Sequence, residues 1–545
     1  MAREVDAVIV GSGHNGLVAA AYLARAGWSV EVLEQADRAG GAVATEELTA
    51  PGYRHDTFSS WHPLFQGSAA WAELGDELRA QGLDYVNADD AVTASVLPDG
   101  SAVVGHRDPE RTAAGFGDRD GAAYLAELAD LGQHIESIGG LLGVELHGLG
   151  ALRQAAGLRR AMGGRAFTAL GARVAASSRS WLESTFEGRA VGDLLAPWGL
   201  HTGLTPDDAG GAFSLLALAG GLHAGGLPVV RGGSVGFVDA FVGLIESHGG
   251  SVRTGTPVES IVVRGGRAVA VRAGGEEIAA RRAVIANVTP TQLYGALLPT
   301  GSAPPQATAE AACFRYGRRA GTQIHLALDA PPRWRGDARL AEAPLIHLTS
   351  GVDGVTRACT DAALGLLPAE PTIVCGQPTV IDPSRAPEGG AIIWIQLQEV
   401  PYRPTGDAAG TIDVGDGRWT PELEAAYADR IVERLGAHIE GLEQSIVGRA
   451  ILSPRELERR NPNLVRGDIY AGATDLDQSY LWRPLPSFGS HATPVGGLYQ
   501  CGASTYPGPG LNAASGRIVA QALLAPSPRE RLRARLRRPL SSRGG

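Results

Sequence analysis

Residues 6–34, DAVIVGSGHNGLVAAAYLARAGWSVEVLE, decide the fold of this chain. The apolar run at residues 6–10 predicts a buried strand, residues 17–26 have helical character, and residues 30–33 return to strand character. Both strands are continuously apolar, which is typical of a parallel sheet that is covered on its two faces. The stretch therefore predicts a compact β-α-β unit.

The turn between the first strand and the helix carries Gly11-x-Gly13-x-x-Gly16, and Glu34 ends the second strand. The first glycine permits a tight turn, the second lets a pyrophosphate approach the backbone, and the third lets the helix pack closely on the strand. The helix N-terminus offers unpaired N–H groups to the anion, and Glu34 can accept hydrogen bonds from ribose hydroxyls. A tight turn without a ligand is the alternative, but the β-α-β context favours a dinucleotide site.

A second glycine pair extends this motif. Arg38 and the pair Gly40-Gly41 follow Glu34 closely, so a second loop can pass near the diphosphate and the flavin of FAD. The extension favours FAD over NAD as the dinucleotide. The sequence shows no second Gly-x-Gly-x-x-Gly between a strand and a helix, which makes a pure NAD dehydrogenase the poorer alternative.

Charge and composition exclude several classes of protein. The 545 residues, enough for several domains of about 150 residues each, include 58 acidic and 48 basic side chains, a net charge of −10. A nucleic-acid-binding role needs clustered cations and is therefore disfavoured. All basic residues are Arg, and the absence of Lys excludes a pyridoxal Schiff base, a phosphate-loop Lys and a Lys-held water beside a cofactor.

The cysteines and the N-terminus indicate a cytoplasmic protein. Cys313, Cys359, Cys375 and Cys501 form no C-x-x-C pair and lie at no metal-ligand spacing, so we expect neither a metal site nor a disulfide framework. Cys501 ends an apolar strand and is interpreted as a small buried residue rather than a flavin attachment point. No secretory signal and no apolar run of about 18 residues is found, which predicts a chain without a membrane span.

Three stretches of the chain resemble the phytoene desaturase-related FAD oxidoreductases. This family includes carotenoid desaturases, isomerases, ketolases and a pyridine nucleotide-disulfide oxidoreductase-like subgroup. The stretches are DAVIVGSGHNGLVAAAYLARAGWSVEVLEQADRAGGAVATEEL at 6–48, GDIYAGATDLDQSYLWRPLP at 467–486 and GGLYQCGASTYPGPGLNAASGRIVAQALL at 496–524. The likeness spans nearly the whole chain and is strongest at its two ends, and it implies an FAD-dependent oxidoreductase.

The expected fold class is α/β, with a discontinuous Rossmann-type FAD-binding domain and an inserted α+β substrate domain of mixed sheet and helices. We assign 1–75, 229–300 and 490–528 to the FAD-binding domain, 76–228 and 301–489 to the substrate domain, and 529–545 to a basic flexible tail. The substrate domain has a helical, Arg-rich part at about 106–228. Within it, residues 146–182 hold six Arg and no Asp or Glu, which indicates either a solvated helical face or a surface for anionic lipid.

The resemblance also implies cofactor contacts at matching positions. The implied nucleotide contacts are Gly11, Ser12, Gly13, Asn15, Gly16, Glu34, Gln35, Arg38, Gly40, Gly41, Val258, Ala286 and Asn287, and the implied flavin contacts are Gly502, Ala503, Gly510, Leu511 and Ala514. The chain departs from the family pattern at Tyr506, Pro509 and Asn512. These departures fall on the reactive side of the flavin, so the substrate and the direction of reaction stay open.

Flavin-dependent desaturation needs a proton acceptor or a group that stabilises developing positive charge. The candidate catalytic residues are His62, Tyr506, Asp477 and Arg483. For each of them alone, a satisfied polar residue in a loop is the stronger interpretation. His201, His223 and His325 show no pattern that indicates a function.

The leading interpretation is an FAD-dependent oxidoreductase that desaturates a hydrophobic isoprenoid or carotenoid-like substrate, as in carotenoid biosynthesis, by hydride transfer to the flavin. Oxygen or a quinone would accept the electrons, and peripheral membrane contact would deliver the substrate. One alternative is an oxidase or dehydrogenase of a polar secondary metabolite, amine or peptide. Another is a flavin-binding scaffold without turnover, and the oligomeric state is left open.

Overall fold

The computed structural model describes residues 3–525, and the basic tail predicted at 529–545 lies outside these described residues. The strands are β1 Arg3–Val10, β2 Val30–Leu33, β3 Thr45–Glu46, β4 His55–Asp56, β5 Tyr85–Val86, β6 Ala91–Val96, β7 Ala102–His106, β8 Val229–Val230, β9 Ser251–Arg253, β10 Val258–Arg264, β11 Arg267–Ala273, β12 Glu276–Ala286, β13 Ala320–Leu328, β14 Leu345–Leu348, β15 Leu366–Leu367, β16 Ile373–Gly376, β17 Ala391–Val400, β18 Gly406–Asp407, β19 Ile446–Leu452 and β20 Leu498–Gln500. The α-helices are α1 His14–Arg25, α2 Pro63–Gln66, α3 Ala69–Ala80, α4 Pro109–Ala114, α5 Asp118–Leu142, α6 Leu149–Met162, α7 Gly164–Ala175, α8 Ser178–Thr185, α9 Ala190–Gly199, α10 Gly211–Gly225, α11 Val235–Ser247, α12 Pro290–Gln292, α13 Pro305–Ala312, α14 Gly351–Ala363, α15 Pro421–Gly436, α16 Leu442–Ser445, α17 Pro454–Arg460 and α18 Ala514–Leu524.

The first sheet has seven strands in the order β10-β11-β12-β1-β2-β9, with β20 beside the carboxyl end of β12. The strands β9, β2, β1, β12 and β20 are parallel to their neighbours in that series, whereas β10–β11 and β11–β12 are antiparallel. Helices α1 and α11 pack their apolar residues into the core of this sheet, where Leu17, Phe237 and Phe241 are fully buried. The predicted β-α-β unit and the α/β fold class are confirmed.

The second sheet also has seven strands, in the order β19-β13-β17-β16-β14-β6-β7. Its neighbours are antiparallel apart from β6 and β14. One face packs on α15, with Tyr427 and Ile431 buried in that interface. The other face, which includes Leu345, Val374 and Trp394, packs under helices α5 and α8 to α10.

The segment 41–62, which we call the strap, runs between the two sheets. Its residue Asp56 is fully buried and accepts a hydrogen bond of 2.7 Å from the backbone N–H of Ser234, at the start of α11. Asp56 also forms an ion pair with the buried Arg385, which bonds Asp382 at 3.0 Å. The strap therefore ties a helix of the first sheet to a loop beside the second.

The first sheet collects strands from three separate parts of the chain, residues 3–33, 251–286 and 498–500. Such an arrangement is expected for a discontinuous domain. The second sheet takes its strands from residues 91–106 and 320–452. The boundaries assigned to the two domains from the sequence stay predictions.

Candidate active site

A cavity of about 410 Å³ lies where β1, β2 and β12 end, between the two sheets. One part of the cavity is formed by the loops after these strands and by residues 460–463, and we call it the nucleotide end. The opposite part, which we call the far chamber, is lined by the Trp394, Gln396 and Gln398 side of β17 and by helical residues including His201. The carboxyl ends of parallel strands are where α/β folds bind ligands.

The nucleotide end is shaped by glycines at which a side chain would collide. A Cβ at Gly13 would lie 2.6 Å from Asn287 Nδ2, and one at Gly16 would lie 2.5 Å from the carbonyl oxygen of Gly11. Gly11 has a φ of +89°, a conformation that favours glycine. Helix α1 begins at His14 without a side-chain cap, so N–H groups of its first turn are available to an anion.

Glu34 is held in one orientation at the end of β2. Its Oε2 accepts hydrogen bonds from the Ser12 backbone N–H at 2.9 Å and from the Ser12 hydroxyl at 2.7 Å, and its Oε1 accepts one from Ala36 N–H at 2.9 Å. The N–H of Gly40 in turn donates to the Ser12 hydroxyl at 3.0 Å. Oε1 keeps a lone pair for a further donor, as a ribose-binding acid requires.

Asn287 follows β12 and connects the loops around the nucleotide end. Its N–H donates to Val10 O at 2.8 Å, and its carbonyl accepts from Asn463 Nδ2 at 3.2 Å. Asn463 Oδ1 accepts from Thr289 N–H at 3.1 Å. The segment 460–463, which follows α17, is thereby fixed as one wall of the cavity.

The closing loop, residues 502–511, lines the cavity through residues 502–504 and 509–511 and leads into α18. Asn512 Oδ1 accepts from the N–H of Ala514, the first residue of this helix, at 2.9 Å, and Asn15 Oδ1 accepts from Gly516 N–H at 3.1 Å. A Cβ at Gly516 would lie 2.1 Å from Asn15 O. Helices α1 and α18 therefore cross in contact, and the departure from the family pattern at Asn512 serves the helix start.

The far chamber is aromatic and amide-rich. Trp61 and Trp394 meet edge to face with ring centroids 5.1 Å apart, and Trp198 stacks on His201 at 4.7 Å. A Cβ at Gly376 would lie 2.0 Å from the Trp61 ring, so this glycine makes room for the indole. The chamber can hold an extended apolar molecule between rings.

Known proteins resemble this chain over nearly its whole length. Residues 9–78 match the family model of the NAD(P)-binding Rossmann-like domain. Pyridine nucleotide-disulfide oxidoreductase domain-containing protein 2 of Rattus norvegicus is 28% identical, over 95% of this chain and 93% of that protein. A limonene dehydrogenase polypeptide of Castellaniella defragrans is 26% identical over 93% and 92% of the two chains, and hydroxyneurosporene desaturase of Rubrivivax gelatinosus is 27% identical over 96% and 94%. These matches support the predicted resemblance to the phytoene desaturase-related flavoprotein family.

The phytoene desaturase-related family consists of flavin-dependent oxidoreductases, as the sequence analysis expects. A solved structure, an oxidoreductase from Methanosarcina mazei, shares the fold with a TM-score of 0.61 and 15% identity, over 95% of this chain and 99% of that chain. At this identity the likeness concerns the fold alone. The predicted family and fold class are confirmed.

Most cofactor residues implied by the family resemblance line the cavity. Those in the lining are Gly11, Gly13, Asn15, Glu34, Gln35, Arg38, Gly41, Val258, Asn287, Gly502, Ala503, Gly510 and Leu511. Ser12, Gly16, Gly40, Ala286 and Ala514 lie outside the lining. Among these, Ser12 orients Glu34 by a hydrogen bond, and Gly16 permits the close turn at Gly11. Both residues therefore shape the site without lining the cavity.

Two of the predicted catalytic residues differ in their access to the cavity. His62 lines it, and its Nδ1 is 2.9 Å from the hydroxyl of Tyr85. Burial lowers the pKa of His62 to about 3, so the ring is neutral at pH 7. Tyr506 is outside the lining, and its hydroxyl donates to Leu141 O at 3.0 Å.

The other two predicted catalytic residues are engaged in contacts outside the cavity. Asp477 pairs with Arg315 at 2.6 Å on the surface. Arg483 is buried and donates to the carbonyl oxygens of Ala503 at 2.9 Å and of Ala473 at 2.9 Å. It supports the closing loop, burial lowers its pKa to about 10, and the catalytic roles of both residues stay predictions.

The sequence analysis missed several residues of the site. Arg460, Asn461 and Asn463 lie in the run Arg-Asn-Pro-Asn at the end of a helix, and this polar loop was the available signal. In β17, apolar Ile393, Ile395 and Leu397 alternate with residues that face the cavity. A period-two pattern with amides on one buried face indicates a polar binding wall.

Two further observations concern the described part of the chain. Within residues 3–525, no group of three or more His, Cys, Asp or Glu side chains is arranged to hold a metal ion. Over the same residues, none of the helices combines the length and apolar character needed to cross a membrane.

Proposed function

We propose that this chain binds FAD in the nucleotide end and dehydrogenates a neutral, hydrophobic isoprenoid-like molecule in the far chamber. One continuous cavity supports this function, because it joins a dinucleotide-shaped cleft at the strand ends to an aromatic chamber. The relatives named as a limonene dehydrogenase and a hydroxyneurosporene desaturase support the choice of substrate class.

The residues present fit FAD. The glycine loop would accept the diphosphate at the start of α1, and Glu34, oriented by Ser12, would accept hydrogen bonds from the ribose. Arg38 and Arg460 line the same end and supply positive charge in a chain without Lys. When bound, FAD supplies the hydride acceptor, while the chain binds and orients the substrate and excludes water.

His62 is the predicted catalytic residue that the cavity geometry favours. Its ring lines the cavity, and its Nε2 is buried without a hydrogen-bond partner among the described residues. Because burial lowers its pKa, the ring is neutral at pH 7 and one nitrogen is an acceptor. In this proposal His62 stabilises positive charge that develops as the hydride leaves the substrate.

The charges of the lining favour a neutral substrate over an amine. The charged side chains of the lining are Glu34, Arg38 and Arg460. The Glu34 carboxylate is engaged with Ser12 and Ala36 at the nucleotide end. Arg460 belongs to the same end, because its neighbour Asn461 lies close to Gly41. A cationic amine in the far chamber would therefore lack a carboxylate, which makes the amine alternative unfavourable.

The test is the visible spectrum of the purified protein, followed by anaerobic titration with an isoprenoid extract and, separately, with a polar metabolite extract. We expect a flavin spectrum that is bleached by the isoprenoid extract. Bleaching by the polar extract alone would contradict the substrate class, a flavin that nothing reduces would favour a scaffold, and failure to bind added FAD would overturn the proposal. Reoxidation of the reduced protein by oxygen and by a quinone then identifies the acceptor.

We further propose that helices α6 and α7 contact a membrane surface that carries the substrate. Leu149 and Leu152 on α6 are 72% and 67% exposed. Arg159 and Arg160 at the end of α6 and Arg165 on α7 form no ion pair within residues 3–525. Exposed Leu beside unpaired Arg is typical of a surface for anionic lipid.

Sedimentation with phosphatidylserine-containing vesicles tests the membrane contact. We expect the wild-type protein to sediment with these vesicles, and the double variant Leu149→Ser, Leu152→Ser to sediment several-fold less. Leu364→Ser is the matched control, because Leu364 is 70% exposed beyond the end of α14. Equal sedimentation of wild type and double variant would contradict this contact.

A further inference from the structure

The polar residues of the far chamber form a row across the second sheet. On β17, Trp394, Gln396 and Gln398 line the cavity. Gln323 of β13 lies directly opposite Gln396 in the antiparallel pair, and both line the cavity. The row continues through Val374 of β16, which lies opposite both Gln396 and His347 of β14. Directly paired residues share a face of the sheet, so these side chains point to the same side.

His201 covers the His347 end of this row. The Nε2 atoms of the two rings are 3.1 Å apart, which is a hydrogen bond between neutral imidazoles. Burial lowers the pKa of His201 to about 4 and that of His347 well below its usual value, so one ring donates and the other accepts. His201 Nδ1 has no hydrogen-bond partner in the described part of the chain, and the residue lines the cavity. It can therefore act as an acceptor or as a donor, depending on the tautomer of the pair.

The amides of the row are short of hydrogen-bond partners. Gln323 donates to Phe58 O at 3.0 Å, but its Oε1 is buried without a partner. Gln398 Oε1 is likewise buried and unpartnered, and the side chain of Gln396 makes no hydrogen bond to residues 3–525. Buried amides without partners are unfavourable, so their concentration on one wall indicates a ligand that supplies the partners.

The missing partner is uncharged. Arginine and carboxylate side chains of the lining are confined to Glu34, Arg38 and Arg460. Near His201 the lining offers amides, indoles, imidazole and the Tyr470 hydroxyl, which donates to Leu200 O. A carboxylate or ammonium group would be buried there without a counter-charge. An amide offers both a donor and an acceptor, which suits a hydroxyl or a carbonyl oxygen.

We propose that the far chamber binds an uncharged oxygen group of the substrate, a hydroxyl or a carbonyl, through Gln396, Gln398 and His201. The inference rests on the proposed function and narrows its substrate class, from isoprenoid-like molecules in general to those that carry oxygen at one end. The aromatic rings enclose the hydrocarbon part, and the amide row discriminates the oxygen from a hydrocarbon end.

The experiment compares geranylgeraniol, geranylgeranial and the hydrocarbon of the same chain length as ligands of the FAD-loaded protein. Binding is followed by quenching of tryptophan fluorescence, since Trp61, Trp198 and Trp394 line the cavity. We expect at least one oxygenated probe to bind about tenfold more tightly than the hydrocarbon, which corresponds to one hydrogen bond. In Gln396→Met and Gln398→Met we expect this preference to fall below about threefold with hydrocarbon binding retained.

Gln444→Met is the matched control, because Gln444 is exposed on α16 and outside the cavity. It should keep the wild-type preference. Equal binding of all three probes by the wild type, or an undiminished preference in both amide variants, would overturn the inference. The bound-flavin spectrum shows that each variant is folded. A wild type that binds no flavin contradicts the proposed function instead, and the same fluorescence comparison on the flavin-free protein then decides the inference.

Discussion

The two ends of the cavity are built in different ways. The nucleotide end is formed by backbone. Its glycines lie so close to neighbouring residues that an added Cβ would collide with them, and its single acid, Glu34, is held by Ser12. The far chamber is formed by side chains from separate elements, such as Trp61 of the strap, His201 after α9 and Gln396 of β17.

This difference indicates which part of the function can vary. A backbone cradle tolerates almost no substitution but needs only a short motif to specify it. A chamber of side chains can change its substrate by exchange of one residue without change of fold. The molecule thus combines a fixed cofactor cleft with an adjustable substrate wall.

The largest effect on FAD binding is expected for Gly16→Ala, which challenges the rigidity of the nucleotide end. The added Cβ would lie 2.5 Å from Gly11 O and 3.0 Å from Asn287 Nδ2. Because the first contact is with backbone, the glycine loop itself would have to move. We expect FAD affinity to fall by more than about 100-fold, or about 3 kcal/mol. The measurement is flavin retained after desalting and titration with added FAD.

Gly157→Ala is the control for this change, because Gly157 lies in α6 with nothing within 4 Å of the added Cβ. It should bind FAD as the wild type does and be slightly more stable, since Ala is favoured in a helix. If Gly16→Ala also kept normal FAD affinity, the contrast between a rigid and an adjustable end would fail.

The second prediction concerns the connection between the two ends. Arg385→Met leaves Asp56 and Asp382 buried without their cation, which should lower the free energy of unfolding by about 3–5 kcal/mol. Urea unfolding measures this loss. The control is Arg339→Met, which removes a half-exposed arginine from its pair with Asp337 and should cost less than about 1 kcal/mol. Equal losses in the two variants would show that the strap does not couple the sheets.

The sequence predicts the nucleotide end well because its determinants are contiguous. Gly11, Gly13 and Gly16 lie within one turn between a strand and a helix, and Glu34 follows at the end of the next strand. The geometry of such a unit is set by local backbone rules, so spacing alone indicates the ligand. The flavin side could be located only through the family resemblance of the closing loop.

The far chamber could not be predicted in the same way. His201 gains its position from a hydrogen bond to His347, 146 residues away in the chain, and nothing near His201 in the sequence indicates that contact. Strand pairing places Gln396 beside Gln323, 73 residues earlier in the chain. Long-range contacts of this kind appear only when the sheet order is known, although the alternation in β17 shows that one face is polar.

The third prediction uses pH to sharpen the contrast between a buried chamber and the unfolded chain. Burial lowers the pKa of His201 from 6.5 to about 4, so the unfolded state takes up this proton at a higher pH than the native state. The contribution of His201 to stability is therefore complete above pH 6.5 and is lost as the pH falls through about 4. From pH 7 to pH 5 the loss is about 2 kcal/mol, and His201→Phe should remove it.

Urea unfolding at pH 7 and pH 5 measures this difference. The wild type should lose about 2 kcal/mol more than His201→Phe over that interval, on top of losses that the other buried histidines cause in both proteins. Identical losses would mean that His201 is solvated in the native protein. The proposed contact of the chamber with an uncharged oxygen would then lose its support from this histidine.

The smallest effect is expected for Ser12→Ala, which tests how firmly Glu34 must be held. The change removes a 2.7 Å hydrogen bond to Glu34 Oε2 and the acceptor of the Gly40 N–H, which bonds the same hydroxyl at 3.0 Å. It leaves the backbone N–H of residue 12 at 2.9 Å from Glu34 Oε2. The carboxylate should stay in place with less support, so FAD affinity should fall about tenfold, or about 1.4 kcal/mol, in a fluorescence titration. Ser101→Ala is the control, because it removes an equivalent 2.6 Å bond to Asp99 on the surface and should leave FAD affinity unchanged. Unchanged affinity in Ser12→Ala would mean that the backbone alone orients the acid, and the nucleotide end would then depend on side chains even less than the comparison with the far chamber implies.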